Sequence, residues 1–211
     1  MSRLRSAAAV AGVTLAAGLA GCAAAGPAVA TPRVGPERGA DLLVPPGHGS
    51  LLQDEITITV RTDELLLKIT PLDEWVLRLT APDTWSRLST LASSHRAEVV
   101  RRTGVASPSL FLVSIFGRTA GATYAPEDVQ VVHRGRRVRP LLIRPLSSGW
   151  DEGRVAPGET QAAVYAFAEE IDLEQTVAVE YAAVSGSWDQ ILQRLEAERG
   201  RARGRAGLGI R

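Results

Sequence analysis

From residue 51 onward the apolar positions follow two periods in turn. In "EITITVRTDELLLKIT", Ile56, Ile58 and Val60 alternate with Thr57 and Thr59, the period of a half-buried strand. Thr62-Asp63-Glu64 supplies a polar turn, and Leu65, Leu67 and Ile69 then fall on one face of a second strand. The period changes in "TPLDEWVLRLTAP", where Leu72, Trp75, Val76 and Leu79 share a helical face. Thr70 is placed to cap, Pro71 suits a first helical turn, and Asp73 and Glu74 complement the positive end of the helix dipole. This predicts a short helix ending near Pro82. A second helix is predicted from Asp83, with Leu88, Leu91, Ala92 and His95 along one side. The pattern leaves residues 96–103 open between helix and strand, and Gly104 closes either one.

The second half of the chain is β-patterned. "SLFLVSIFGR" is apolar on both faces, as befits a central strand covered from both sides. "EDVQVVHRGRRVRPLLI" reads as a hairpin turning at Arg134-Gly135, with Pro140 favouring an edge. Ala163, Tyr165 and Phe167 share one strand face; Val177, Val179, Tyr181 and Ala183 share another, opposite Glu180. Ser148-Gly149 and Pro157-Gly158 mark turns between the runs. A closing helix is predicted from Ser187, paired with Gln190 as a capping box, with Trp188, Ile191, Leu192 and Leu195 as its apolar stripe. The expected fold is α+β, mainly an antiparallel β-sandwich, with two short helices in its N-terminal half and a C-terminal packing helix. It occupies one globular unit over residues 51–198.

The first 50 residues carry neither period. Arg3 and Arg5 form a positive n-region, and residues 7–20 are almost all Ala, Val, Leu and Gly, too short to span a hydrocarbon core of about 30 Å comfortably. Leu19-Ala20-Gly21-Cys22 follows, holding the only cysteine of the chain. In this order the three features resemble the lipobox of bacterial lipoproteins. That resemblance implies a signal peptide over residues 1–21 and a diacylglyceride on the Cys22 thiol, with acylation of its new amino group. Two or three acyl chains anchor stably where one does not. Ala23 is not the aspartate that favours retention in the inner membrane, so the resemblance implies the bacterial cell envelope, at the outer membrane facing the periplasm. Residues 22–50 contain five prolines and five glycines without periodicity, the composition of a flexible linker, with His48 a solvent-exposed passenger.

A second resemblance rests on the stretch from Phe111 to Tyr181. "APEDVQVV", "RPLLIRPL", "APGET" and "AVYAFAEEIDLEQTVAVEY" are similar to the immunoglobulin-like domains of uncharacterised bacterial envelope proteins. There, too, an apolar strand is followed by a Pro-Glu-Asp turn and a Pro-Gly-Glu turn opens a late strand. The resemblance implies a fold and no active site.

Charge adds an asymmetry. Residues 22–198 carry 17 basic and 23 acidic side chains, while residues 199–211 hold five Arg and no acid. The composition of that tail predicts disorder, with an anionic surface such as phospholipid head groups as its partner; nucleic acid is not a partner for an envelope protein of this kind. Recognisable catalytic chemistry is missing from the sequence. It has no Gly-x-Ser-x-Gly elbow, no P-loop, no Gly-x-Gly-x-x-Gly and no His-Glu-x-x-His. With Cys22 unpaired there is neither an intrachain disulfide nor a cysteine-based zinc site. His48, His95 and His133 are expected in a linker, a helix and a hairpin, and no residue is assigned to catalysis, a cofactor or a metal. Glu169, Glu170, Asp172 and Glu174 form the most acidic segment, but they lack the spacing of a dedicated calcium loop and read as a solvated turn. Two functions remain. One is a lipid-anchored, non-catalytic module that binds another envelope protein or assists assembly; the other is an envelope enzyme or metal-binding protein whose site spacing does not reveal.

Overall fold

A computed structural model describes residues 44–207. Cys22, the signal-like segment and most of the proline-rich linker lie outside the described residues. Among the described residues the fold is mixed α+β with a sheet-rich core: two antiparallel sheets, one of five strands and one of four, and three α-helices.

The five-stranded sheet contains β1 (Ile58–Arg61), β2 (Leu65–Pro71), β3 (Ser109–Gly117), β6 (Leu142–Pro145) and β7 (Thr160–Phe167), in the order β1-β2-β3-β7-β6. Its register aligns the alternating apolar residues. Ile58 faces Ile69, Val60 faces Leu67, Ile69 faces Val113 and Phe111 faces Tyr165, all nearly fully buried. β3 occupies the middle, which explains its continuous apolar run: Leu110, Phe111, Leu112, Val113 and Ile115 are buried on both of its faces. The second sheet contains β4 (Gln130–His133), β5 (Arg136–Val138), β8 (Val177–Tyr181) and β9 (Val184–Ser187), in the order β5-β4-β8-β9. The β4–β5 hairpin turns at Arg134-Gly135, both at positive φ as a tight two-residue turn requires. The sheets meet where Gly186 of β9 lies against β1. A Cβ there would stand 2.6 Å from the Thr59 carbonyl oxygen and 2.7 Å from Ile58 Cγ2, so only glycine fits.

Helix α1 (Glu74–Leu77) is a single turn whose N-cap is Asp73, accepting from the Trp75 amide at 3.2 Å. Thr70 does not cap it. β2 runs on through Pro71, and the buried Thr70 hydroxyl meets Thr57 at 2.7 Å instead. Helix α2 (Pro82–Thr103) starts with Pro82 in its first turn and continues unbroken through residues 96–103 to Gly104, whose φ of 71° ends it. Val99 is fully buried along the same side as Leu88 and Ala92, so packing settles the helix–strand alternative. Glu98 of α2 pairs with Arg144 of β6 at 3.3 Å, and Arg96 donates to the Pro108 carbonyl, fixing this helix beside the five-stranded sheet.

Three boundary expectations change. Ala183 is not a strand residue: Ala182 and Ala183 have φ of 48° and 63° and form the β8–β9 turn, a conformation that alanine's composition does not advertise. The closing helix α3 (Asp189–Arg205) begins after an extra strand, β9. Ser187 ends that strand and accepts from the Asp189 amide at 3.1 Å rather than forming a box with Gln190. Nor does α3 stop at Glu198. It runs to Arg205, because Ala202, seven residues beyond Leu195, continues the buried stripe with no solvent exposure. Gly200 and Gly204 each oppose a helix by up to about 1 kcal/mol, a handicap that tertiary burial overrides.

Trp188 anchors α3. It is fully buried and its indole N–H donates to the Leu173 carbonyl at 2.7 Å. Truncating so large a buried side chain costs about 3–5 kcal/mol. Trp188→Ala should therefore lower the melting temperature, followed by circular dichroism, by on the order of 10 °C. An unchanged melting curve would mean that α3 is an appendage.

Candidate functional site

The described chain enters the domain against the far half of α3, and a buried carboxylate joins the two. Val44 is buried, Pro46-Gly47 forms a turn with Gly47 at φ 88°, and Gly49 presses on the Leu79 backbone, where a Cβ would come within 2.2 Å of the carbonyl carbon. Ser50 and Leu51 both donate backbone N–H groups to the Leu79 carbonyl at 3.1 Å. Residues 44–50 therefore belong to the fold and not to the linker, which was expected to extend to residue 50.

Glu198 has no solvent exposure. Its Oε1 accepts from the Ser50 amide at 2.9 Å, from the Ser50 hydroxyl at 2.8 Å and from Arg205; its Oε2 accepts from Arg201 Nε at 2.8 Å. Arg205 Nε also donates to the His48 carbonyl at 2.8 Å, so one guanidinium bridges the chain's point of arrival and the helix. Nearly two turns earlier, Arg199 lies over the Trp75 ring at 4.6 Å and pairs with Glu174 and Glu196. Burial alone would raise the Glu198 pKa. The hydrogen bonds from Arg201, Ser50 and Arg205 outweigh it and hold the carboxyl below its usual range. The group is ionised and fully partnered.

The residues singled out by sequence do not converge on a chemical centre. His48 contributes its backbone carbonyl to this clamp. His95 lies half-buried on α2. His133 is buried in β4 at 4% exposure, and burial, reinforced by Arg134, lowers its pKa against the opposing pull of Asp172 and Glu169. The acidic segment is divided among separate arginines: Glu169 pairs with Arg136, Asp172 with Arg134, and Glu174 with Arg199. Asp172 also accepts from the Glu174 amide and the Gln175 side chain, the pattern of a turn. Among the described residues no group of three or more His, Cys, Asp or Glu is placed to hold a metal ion, and no helix is long and apolar enough to cross a membrane. Open hollows among the described residues include ones of about 300, 370 and 550 Å³, lined by Glu152 and Gln161, by Glu127 and Trp150, and by Val132 and Leu192 respectively.

The chain matches no family model, no curated protein and no solved structure. The clamp is accordingly read from its own geometry. Its central residue was missed by sequence because Glu198 stands beside Glu196 in an exposed-looking charged run. The one available signal was its spacing of three and seven residues to Arg201 and Arg205, one or two helical turns away.

Glu198→Gln leaves Arg201 and Arg205 in contact with water and keeps an acceptor for Ser50, so what it removes is the charge assistance of these bonds. It should destabilise the protein by about 1–3 kcal/mol at pH 7. Because the folded pKa is depressed, the ionic contribution is complete above the unfolded value near 4.3 and is lost as pH falls through the lower folded value. Urea melts should thus show the wild-type advantage over Glu198→Gln shrinking below about pH 4. An advantage independent of pH would contradict an ionised Glu198.

Proposed function

We infer that this protein is a lipid-anchored, non-catalytic module of the bacterial cell envelope, attached through Cys22 and held at the outer membrane facing the periplasm. The observation that carries this reading is the ordered series of n-region, short apolar run and Leu19-Ala20-Gly21-Cys22, followed by a domain whose first described residues are clamped to the body. A tethered domain transmits any pull on its anchor through its first residues. Here that stretch is tied by Gly49 packing, the Leu79 carbonyl and the Glu198 carboxylate.

The domain itself is read as an immunoglobulin-like sandwich. Support comes from two antiparallel sheets in contact at Gly186 and from Tyr165 of one sheet, whose hydroxyl donates to the Pro126 carbonyl ahead of β4 in the other. Such modules bind protein partners through strand edges and loops. β6 forms one edge of the larger sheet, and Leu141 and Leu146, immediately flanking it, are 47% and 42% exposed. Two exposed leucines at the ends of an outer strand suit a protein partner in the envelope.

The anchor is tested in a bacterial host. Wild type should incorporate labelled palmitate and partition into the detergent phase, whereas Cys22→Ser should remain an unprocessed precursor without label. Processing and detergent partitioning of Cys22→Ser equal to wild type would overturn the lipoprotein reading.

A further inference from the structure

The segment between β6 and β7 encloses an amide oxygen for which the protein supplies no donor. Trp150–Glu152 form one turn of 3-10 helix after Gly149, and Glu159 stands two residues before Gln161 of β7. Gln161 is 4% exposed. Its Nε2 donates to Glu159 Oε1 at 2.7 Å, while its Oε1 is buried without a hydrogen-bond partner among the described residues. Turning the amide over would set Oε1 against the carboxylate, so the two atoms are assigned by their neighbour. The amide packs on Gly149, where a Cβ would stand 2.9 Å from Nε2 and 3.6 Å from Oε1. Gly149 and Gln161 both line the open hollow of about 300 Å³, together with Glu152, Arg154 and Glu159. The amide is thus part of the hollow's floor. A buried carbonyl oxygen without a donor costs free energy, and native interiors rarely keep one.

The rest of the lining is rich in acceptors. Glu159 is exposed; it spends one oxygen on Gln161 and the other on the Ala156 amide at 3.0 Å, and each oxygen keeps a further lone pair. Glu152 is 66% exposed, and its pairing with Arg154 spans 3.7 Å, beyond hydrogen-bond length. Burial first, then Asp151, Glu159 and Glu152, push the Tyr124 phenol up, so three negative charges converge around this turn. We propose that the hollow binds a primary ammonium group, with Gln161 Oε1, Glu159 and Glu152 as acceptors for its N–H groups. Three acceptors, two of them charged, match the three donors and the single positive charge of such a group. Two carboxylates fall short of the roughly six to eight oxygens that calcium takes, and among the described residues no group is placed to hold a metal ion. The hollow's size suits a short-chain amine or the end of a lysine side chain. Amine binding here goes beyond the anchored-module reading and stands whether or not Cys22 carries lipid.

Nuclear magnetic resonance titration of the full chain, carrying Cys22→Ser in every arm, tests this at pH 7. The probes are n-propylammonium, Nα-acetyl-lysinamide and tetramethylammonium chlorides at equal ionic strength. The reporters are the side-chain amide of Gln161 and the backbone amides of Gly121 and Gly149, which also line the hollow. n-Propylammonium should move all three saturably, with a dissociation constant on the order of 1 mM. Tetramethylammonium, which has the charge and no N–H, should not. Gln161→Met, which keeps the length of the side chain and removes its acceptor, should weaken binding at least about tenfold, read at Gly121 and Gly149. Glu152→Gln, at an exposed position, should weaken it up to about fivefold and leave the melting curve unchanged. Saturable shifts with Nα-acetyl-lysinamide as well would assign the group to a partner's lysine, and shifts with n-propylammonium alone to a free amine. Absence of saturable shifts with either amine would mean that the hollow holds water only, and equal shifts with tetramethylammonium would reduce the effect to charge; both overturn the site. So does undiminished affinity in Gln161→Met, or in Glu152→Gln should the Met variant not fold.

Discussion

A charged carboxylate taken wholly out of water must find several donors nearby, and Glu198 obliges the two ends of the described chain to supply them. The desolvation penalty for such a group amounts to several kcal/mol, and a single ion pair does not reliably offset it. Four hydrogen bonds from three residues do: two from Ser50 and one each from Arg201 and Arg205. The requirement propagates outward. Ser50 can reach Glu198 only if Gly49 packs without a side chain on Leu79, and Arg205 can reach it only if α3 persists for seven residues beyond. A carboxylate at this position thereby converts a proline-rich approach and a glycine-rich ending into parts of one unit.

The sheets obey a simpler constraint. Their registers bring Ile58, Val60, Leu67, Ile69, Val113 and Tyr165 into adjacent rows, and α2 is fixed beside the larger sheet through Arg96 and Glu98. Polar groups in this interior are few and mostly bonded. The Tyr165 hydroxyl donates to Pro126, the Tyr124 hydroxyl donates to Trp150, and burial, aided by Asp151, pushes the Tyr124 phenol up to about 12. His133 is the exception among the histidines in being almost wholly enclosed. Its neutral form is favoured by that enclosure, which fits a structural residue of β4.

Legibility from sequence tracked the range of the forces involved. Strands β1, β2, β3, β7 and β8 were visible because period-two burial is local, and the Arg134-Gly135 turn because positive φ favours glycine. The β8–β9 turn was hidden, since Ala182-Ala183 carries no such mark and the left-handed conformation there is imposed by the hairpin. Thr70-Pro71 looked like a helix start, but pairing of Pro71 with Phe111 in β3 outweighed the local preference. The longest-range feature was the least visible. Glycines at 200 and 204 and the many arginines signal disorder until Glu198 and Ala202 are known to be buried, and burial depends on Ser50, 148 residues away along the chain. Cys22 belongs to a different class of signal. It is read from its neighbours in sequence and lies outside the described residues.

Joining the arrival of the chain to the end of α3 gives the domain a defined base. That depends on the two segments opening as one. Native-state hydrogen exchange on the full chain reports this directly through the amides of Ser50 and Leu51 and those of residues 202–206. Coupling through Glu198 predicts that both sets exchange with the same opening free energy and that Glu198→Gln lowers protection of both together. Rapid exchange over 202–206, beside Ser50 and Leu51 amides that stay protected and indifferent to Glu198→Gln, would contradict it.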